Sequence, residues 1–199
     1  MGVVMSVLGA KPFRFGLFVS RPSSVLRLCL ALLALSLPLR FSDVQAQLYT
    51  GSVTAGSAGV RPEEKEGKWS ASEAWKNKEL TCYFSTPVVV GEHVYVVTGT
   101  ANIRAPSSTL HCVEAKTGKV LWKKEKVGRF HAALLRTGDS KLLMLDDFGN
   151  LTLIDPDPKE YRELSRSKVC GPTWAHPALA DGLVYFRDEK QLYCVQLGE

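Results

Sequence analysis

Leu110-His111-Cys112-Val113, Leu151-Thr152-Leu153-Ile154 and Leu192-Tyr193-Cys194-Val195 are three short apolar runs placed 41 residues apart. A second apolar run stands before each: Val94-Tyr95-Val96, Leu142-Leu143-Met144 and Val184-Tyr185-Phe186. Ahead of these lie Gly91-Glu92, Gly138-Asp139 and Asp181-Gly182, pairs that suit tight hairpins because glycine accepts positive φ. Each unit opens on one more run: Ser85-Thr86-Pro87-Val88-Val89-Val90, His131-Ala132-Ala133-Leu134-Leu135, and Thr173-Trp174-Ala175-His176-Pro177-Ala178-Leu179. Short strands recurring at a period near 40 residues predict the blades of a propeller. Alternating and continuous apolar runs both occur, the pattern of strands covered on both faces by stacked neighbours.

The first unit closes on Glu114-Ala115-Lys116-Thr117-Gly118-Lys119-Val120-Leu121-Trp122, a polar turn followed by an aromatic. Here the chain resembles the pyrroloquinoline-quinone-like (PQQ-like) β-propeller repeat family. Its blades read as a Pro-Val opening, a Gly-x-Val-Tyr-Val strand, a Leu-x-x-Leu-Asp strand, then Thr-Gly-Lys-x-x-Trp. Pro87, Gly91, Val94-Tyr95-Val96, Leu110, Thr117-Gly118-Lys119 and Trp122 match in order, with Glu114 standing where the family has aspartate. Pro177, Gly182, Val184-Tyr185-Phe186 and Leu192 match in the third unit. The resemblance covers residues 75–199. It implies an all-β fold, a partial β-propeller of about three four-stranded blades over roughly 75–127, 128–168 and 169–199. It also implies that Trp122 packs between neighbouring blades; covering a bound ring is the other use of a tryptophan there.

Trp75-Lys76-Asn77-Lys78-Glu79-Leu80 lines up with Trp122-Lys123-Lys124-Glu125-Lys126-Val127. The ordered part is therefore expected to begin on the outer strand of a blade whose other strands are absent. The last unit is expected to stop at its third strand. A closed ring needs about 4–8 blades. The chain thus reads as a shortened relative of a longer propeller, or as a subunit that joins others edge to edge in a symmetric oligomer.

Residues 1–46 read as a secretory signal. The apolar run Leu28–Leu37 follows Lys11, Arg14, Arg21 and Arg27, and Val44-Gln45-Ala46 offers small residues for cleavage before Gln47. The run is shorter than the roughly 20 residues of a membrane span, so no stable span is expected once the signal is removed. Lys11, Arg14, Arg21, Arg27 and Arg40 against Asp43 place four of the chain's five net positive charges in this leader. What remains is nearly neutral and shows no basic patch of the kind nucleic acid demands. The densest cluster, Lys116, Lys119, Lys123, Lys124 and Lys126, reads as a solvated turn and outer strand edge, where lysine blocks edge pairing. Residues 47–74, rich in Gly, Ser, Thr, Ala and charge, read as a flexible linker. The longer connection from Thr98 to Ser108 in the first unit is either a binding loop or a tolerated insertion.

Cys82, Cys112, Cys170 and Cys194 follow the leader. Cys112 and Cys194 occupy one slot of the repeat, two units apart, too far for a bridge that needs Cα atoms within about 7 Å. They read as free buried thiols. Quinoprotein dehydrogenases share the blade pattern but add adjacent cysteines, a calcium set and an aspartate base; no adjacent cysteines occur here. Asp146-Asp147 is the one paired carboxylate and reads as turn chemistry. No Gly-x-Ser-x-Gly elbow occurs. His93, His111 and His131 read as structural, and His176, at a unit opening near the expected axis, has no partner acid or metal set. No catalytic, cofactor-binding or metal residue is assigned, and no cofactor is expected. The reading is an exported, periplasmic or extracellular, non-catalytic binding or assembly scaffold with a protein partner or self-association through blade edges. A fragment of a PQQ-dependent oxidoreductase is the alternative.

Overall fold

The computed structural model describes residues 48–52, 55–82, 84–99 and 104–197. The expected signal over 1–46 lies outside them. Among the described residues all regular structure is antiparallel β, in four meandering sheets whose strands pair with their neighbours in sequence. The first contains β1 (Leu48–Ser52), β2 (Gly56–Lys65) and β3 (Lys68–Asn77). The second contains β4 (Val88–Val90), β5 (His93–Thr98), β6 (Ser108–Glu114) and β7 (Val120–Gly128). The third contains β8 (Ala132–Arg136), β9 (Leu142–Asp146), β10 (Asn150–Asp155) and β11 (Arg162–Lys168). The fourth contains β12 (Ala178–Ala180), β13 (Leu183–Arg187) and β14 (Leu192–Gln196).

The sheets stack, and the alternation of each central strand divides its side chains between two neighbours. Val94 and Val96 of β5 face Trp75 and Leu80. Tyr95 and Val97, pointing the other way, join Leu110 and Cys112 against Ala132, Leu134, Leu142 and Met144 of the third sheet. From β9, Leu143 and Leu145 then face Val184 and Phe186 of the fourth. This is why Leu142-Leu143-Met144-Leu145 is apolar at every position and buried throughout. Each such side chain contributes about 1.5–3 kcal/mol on burial. The second and third sheets meet at the first strand of the third, β8 packing on β4 and β5. The outer strands end at solvent: β11 is exposed along its whole length. Lys123, Lys124 and Lys126 are exposed on β7, an edge strand protected by charge.

Two tryptophans pin successive sheets. The Trp75 indole N–H donates to the Ala115 carbonyl at 2.8 Å, and Asn77 Nδ2 donates to the Gly118 carbonyl at 2.9 Å. Both acceptors lie in the β6–β7 turn. One sheet on, the Trp122 indole N–H donates to the Asp157 carbonyl at 2.8 Å in the β10–β11 turn. Its ring lies 6.0 Å from Tyr95 and 6.0 Å from Tyr161. Trp122 is therefore an inter-sheet packing residue, as its place after the Thr-Gly-Lys turn implied.

The segment expected to be a flexible linker, 47–74, instead carries β1, β2 and most of β3. The strand that carries Trp75 thus has its partners, and the expectation of an outer strand without a blade is corrected with it. The physical reason lies in Gly59 and Gly118. A Cβ on Gly59 would come within 2.3 Å of the Trp75 indole, and one on Gly118 within 2.4 Å of the same ring. Small residues in this stretch make room for an indole to lie flat across the backbone; composition alone reads them as flexibility. The cysteines divide as well. Cys112 and Cys170 are buried, Cys82 is half-buried and Cys194 is exposed, a correction to the expectation of four buried thiols; none of the four forms a disulfide.

Leu110, Leu151 and Leu192 hold one slot of the repeat, yet are 0%, 9% and 75% exposed. The slot faces the next sheet in the first two units, and among the described residues nothing covers it in the third. Tyr185, at 37%, stands likewise where Tyr95 is buried at 1%.

Gly59→Ala should cost about 1–3 kcal/mol by overpacking against Trp75. Gly138→Ala, where the added Cβ meets open space, should change stability by less than about 0.5 kcal/mol. Urea unfolding of the two variants checks the contrast. His111 is buried in β6 with Nε2 at 2.9 Å from the Thr98 hydroxyl and Nδ1 without a partner among the described residues. Burial first, and Lys123 second, lower its pKa from 6.5 to about 4. The folded state therefore binds fewer protons than the unfolded chain. The stability His111 leaves intact above pH 6.5 is lost as pH falls toward 4, by about 2 kcal/mol at pH 5. His111→Gln should flatten this acid slope, measured as urea midpoints between pH 7.5 and 5.

Candidate functional site

The segments that enter β8 and β12 are built alike, although their sequences share little. In the third sheet, Asp147 in the β9–β10 turn is buried, and its carboxylate accepts the backbone N–H of Arg129 at 2.8 Å and of Phe130 at 2.7 Å. The Asp147 N–H in turn donates to the His131 carbonyl at 3.1 Å. Forty-one residues later, Asp188 accepts the Gly171 N–H at 2.9 Å from the corresponding turn of the fourth sheet. It also accepts the N–H groups of Lys190 and Gln191 and the Tyr193 hydroxyl. The amides of Lys190, Gly171 and Gln191, in that order, hold its carboxyl far below the usual aspartate range. Asp146, the other member of the paired carboxylate, accepts the N–H groups of Phe148 and Asn150 and the Asn150 side-chain amide. Asp146 thus serves the hairpin turn, as the sequence reading has it, whereas the Asp147 carboxylate serves the segment that enters β8.

The openings are also tied to one another. Ser85 Oγ donates to the Ala132 carbonyl at 2.7 Å and stands 3.3 Å from His131 Nδ1. The Thr173 N–H donates to the Asp147 carbonyl at 3.2 Å, and Thr173 Oγ1 donates to the Arg187 carbonyl at 2.6 Å. Ser85, His131 and Asp147 are thereby neighbours, but their geometry is not that of a nucleophile, base and orienter. The serine proton goes to a backbone carbonyl, and the aspartate is occupied by two amides. His131 is 3% exposed, and burial is the main cause that lowers its pKa. Its Nε2 has no partner among the described residues. His176 is exposed, with Nδ1 3.0 Å from the Pro177 carbonyl. His93 is half-buried at the start of β5.

This framework holds three aromatic side chains together at the surface. Trp174 touches Phe84 and Phe130, with ring centroids 5.7 Å apart in each pair and planes inclined by 43° and 48°. Phe84 is 57% and Trp174 56% exposed. The Arg129 guanidinium lies 5.0 Å from the Phe130 ring centre. Beside Trp174 a cleft of about 440 Å³ runs between Pro172–Ala175 and Arg187–Glu189. One ring comes from the opening of each of three successive sheets. Large exposed apolar rings in mutual contact mark a binding surface more often than a scattered leucine does. The sequence reading missed this cluster. Its signal was present: an aromatic stands just ahead of Ser85, of His131 and of Ala175. The Thr98–Ser108 connection lies partly outside the described residues.

Among the described residues no three His, Cys, Asp or Glu side chains stand close enough to share a metal ion. No described helix is long and apolar enough to cross a membrane.

A family model described as outer membrane protein assembly factor BamB, of the PQQ-like repeat class, matches residues 69–197. A comparison with curated proteins finds no match. The matched span holds β4 to β14, together with the strand that carries Trp75, so the stacked sheets are propeller blades and the chain belongs to the PQQ-like β-propeller repeat family of outer membrane protein assembly factor BamB.

Proposed function

We propose that this protein is an exported, non-catalytic binding module that serves the assembly of outer membrane proteins. The observation that carries the reading is the surface ring cluster of exposed Phe84 and Trp174 with half-buried Phe130, set in a frame whose carboxylates are consumed by backbone amides. A surface that binds needs exposed apolar area with fixed geometry. A surface that catalyses needs a poised acid, base or nucleophile, and Asp146, Asp147 and Asp188 are not poised. The description of the matching family supports the cellular setting, and the apolar run Leu28–Leu37 supports export.

The alternative, a fragment of a PQQ-dependent oxidoreductase, asks for groups that these residues do not supply. PQQ is a tricarboxylate quinone, and its calcium ion needs several free oxygen ligands. The aspartates nearest the cluster have their acceptor oxygens taken by N–H and O–H donors, and no two cysteines are adjacent in sequence.

In the setting proposed, p-benzoylphenylalanine at Ala175 beside the cluster should crosslink, in intact cells, to a protein of the outer membrane assembly machinery, identified by mass spectrometry. The mature N-terminus should be Gln47. A chain retained in the cytoplasm without such an adduct, or dye reduction on adding PQQ and calcium, would reverse the reading. Self-association through the uncovered face of the fourth sheet, around Tyr185, Leu192 and Cys194, belongs to the same proposal. Multi-angle light scattering of the mature chain should give a mass above the monomer, and Leu192→Glu should return it toward one.

A further inference from the structure

We infer that two copies of this chain close on one another head to tail, the fourth sheet of each seated on the first sheet of the other, in a ring of eight sheets. The inference rests on the self-association reading above and names the faces that meet and the number of copies they join.

The two ends of the stack carry the two halves of a junction that the chain already makes within itself. In the second sheet, Tyr95, Leu110 and Cys112 lie on the face that the third sheet covers. Tyr185, Leu192 and Cys194 hold the same slots of the fourth sheet, with the same residue types, and all three are exposed. Strand pairing sets Ala178, Tyr185 and Cys194 in one row across that face, with Arg187 opposite Leu192. The face is thus composed to receive another sheet, and among the described residues none lies on it.

The opposite end matches it. In β6 and β7 the pair Cys112–Trp122 is followed by a bulge and then by Val113. In β2 and β3 the pair Gly59–Trp75 is followed by a bulge at the same place and then by Val60. Val60 therefore holds the slot of Val113, which is buried against the sheet before its own. Val60 is only half-buried, and no described sheet precedes the first. Alternation along β2 puts Pro62 and Glu64 on the same face, and pairing adds Ala71 and Trp69. Glu64 and Glu73 stand on this face against Lys76, so it offers carboxylates to Arg187.

The lengths of the strands agree. At the inner junctions, the last turn of one sheet meets the outer strand of the sheet before it, through Trp75 to Ala115 and Trp122 to Asp157. The β2–β3 turn is that turn of the first sheet, lengthened into a hairpin of two ten-residue strands. The fourth sheet has no strand outside β14 among the described residues. A partner's hairpin reaches this open margin and brings Trp69 to Leu192. Pairing two fourth sheets face to face would instead oppose Arg187 to its own copy and leave both first sheets uncovered. Propellers close at about 4–8 blades. One chain has not closed, since both of its end faces are exposed; two copies of four sheets reach the upper limit, and a third would exceed it. A head-to-tail contact that closes makes a ring, and one that does not makes a filament.

Multi-angle light scattering of the purified chain should give twice the mass of one copy, with no larger species as concentration rises. Leu192→Glu and Trp69→Glu, on opposite end faces, should each reduce the mass to one copy. These side chains are 75% and 71% exposed, so both variants should keep the secondary structure of the wild type, measured in parallel by circular dichroism. Mixed together, the two variants should again form a two-copy species, because one of their two junctions joins an intact fourth sheet to an intact first sheet. In intact cells, p-benzoylphenylalanine at Leu192 should crosslink to residues 58–71 of a second copy. A monomer at every concentration overturns this inference and the self-association reading together. A two-copy species that Trp69→Glu leaves intact, variants that do not recombine, a crosslink from Leu192 to the fourth sheet of a second copy, or a mass that grows without limit overturns the closed head-to-tail ring and leaves self-association standing. A crosslink from Leu192 to a different protein overturns the choice of occupant.

Discussion

A strand buried on both faces must be covered twice, and the architecture of this protein follows from that requirement. Leu142-Leu143-Met144-Leu145 has no polar face to turn toward water. Its odd and even side chains need separate partners, supplied by the blade before and the blade after. Each blade is thus stabilised chiefly by its neighbours, as in other repeat arrays. The indoles of Trp75 and Trp122 add direction to this stacking. Each reaches from an outer strand into the last turn of the next blade and donates one hydrogen bond to a carbonyl there. Apolar burial is non-directional; a buried indole whose N–H must find an acceptor fixes where two blades meet.

The same economy governs the polar groups. The chain enters β8 and β12 through irregular segments whose amides have no strand partner, and buried amides must be satisfied. Aspartates in the hairpin turns accept them: Asp147 takes those of Arg129 and Phe130, and Asp188 takes that of Gly171. The result is a rigid set of openings that presents Phe84, Phe130 and Trp174 side by side. Using the carboxylates for structure removes them from chemistry.

Much of the fold was legible because strand burial leaves a period-2 pattern and blade stacking leaves a 41-residue one. The hairpins from Gly91, from the Thr117-Gly118 turn and from Asp181-Gly182 were legible because positive φ favours few residues; their φ values, +58° at Gly91, +71° at Gly118, +50° at Asp181 and +75° at Gly182, fall in that region. The first sheet was not legible. Gly56-Ser57-Ala58-Gly59 has the composition of a linker, and only the position of the Trp75 ring shows why side chains had to be small there. The ring cluster was hidden for a related reason. Phe84, Phe130 and Trp174 are spaced unevenly, because the segments ahead of the inner strands differ in length, so the repeat does not bring them into one column.

The sequence by itself determined the class of fold, the number of strands in the central blades and the packing role of Trp122, since each follows from local periodicity or from a motif whose residues are close in the chain. Tertiary structure alone decided which repeated positions are covered. Leu110, Leu151 and Leu192 are the same residue in the same slot, and their exposures differ because burial belongs to the neighbouring blade and not to the strand. It also decided that three aromatic rings from three blades meet, for contact between residues more than forty positions apart is set by how the blades converge and by nothing in the residues themselves.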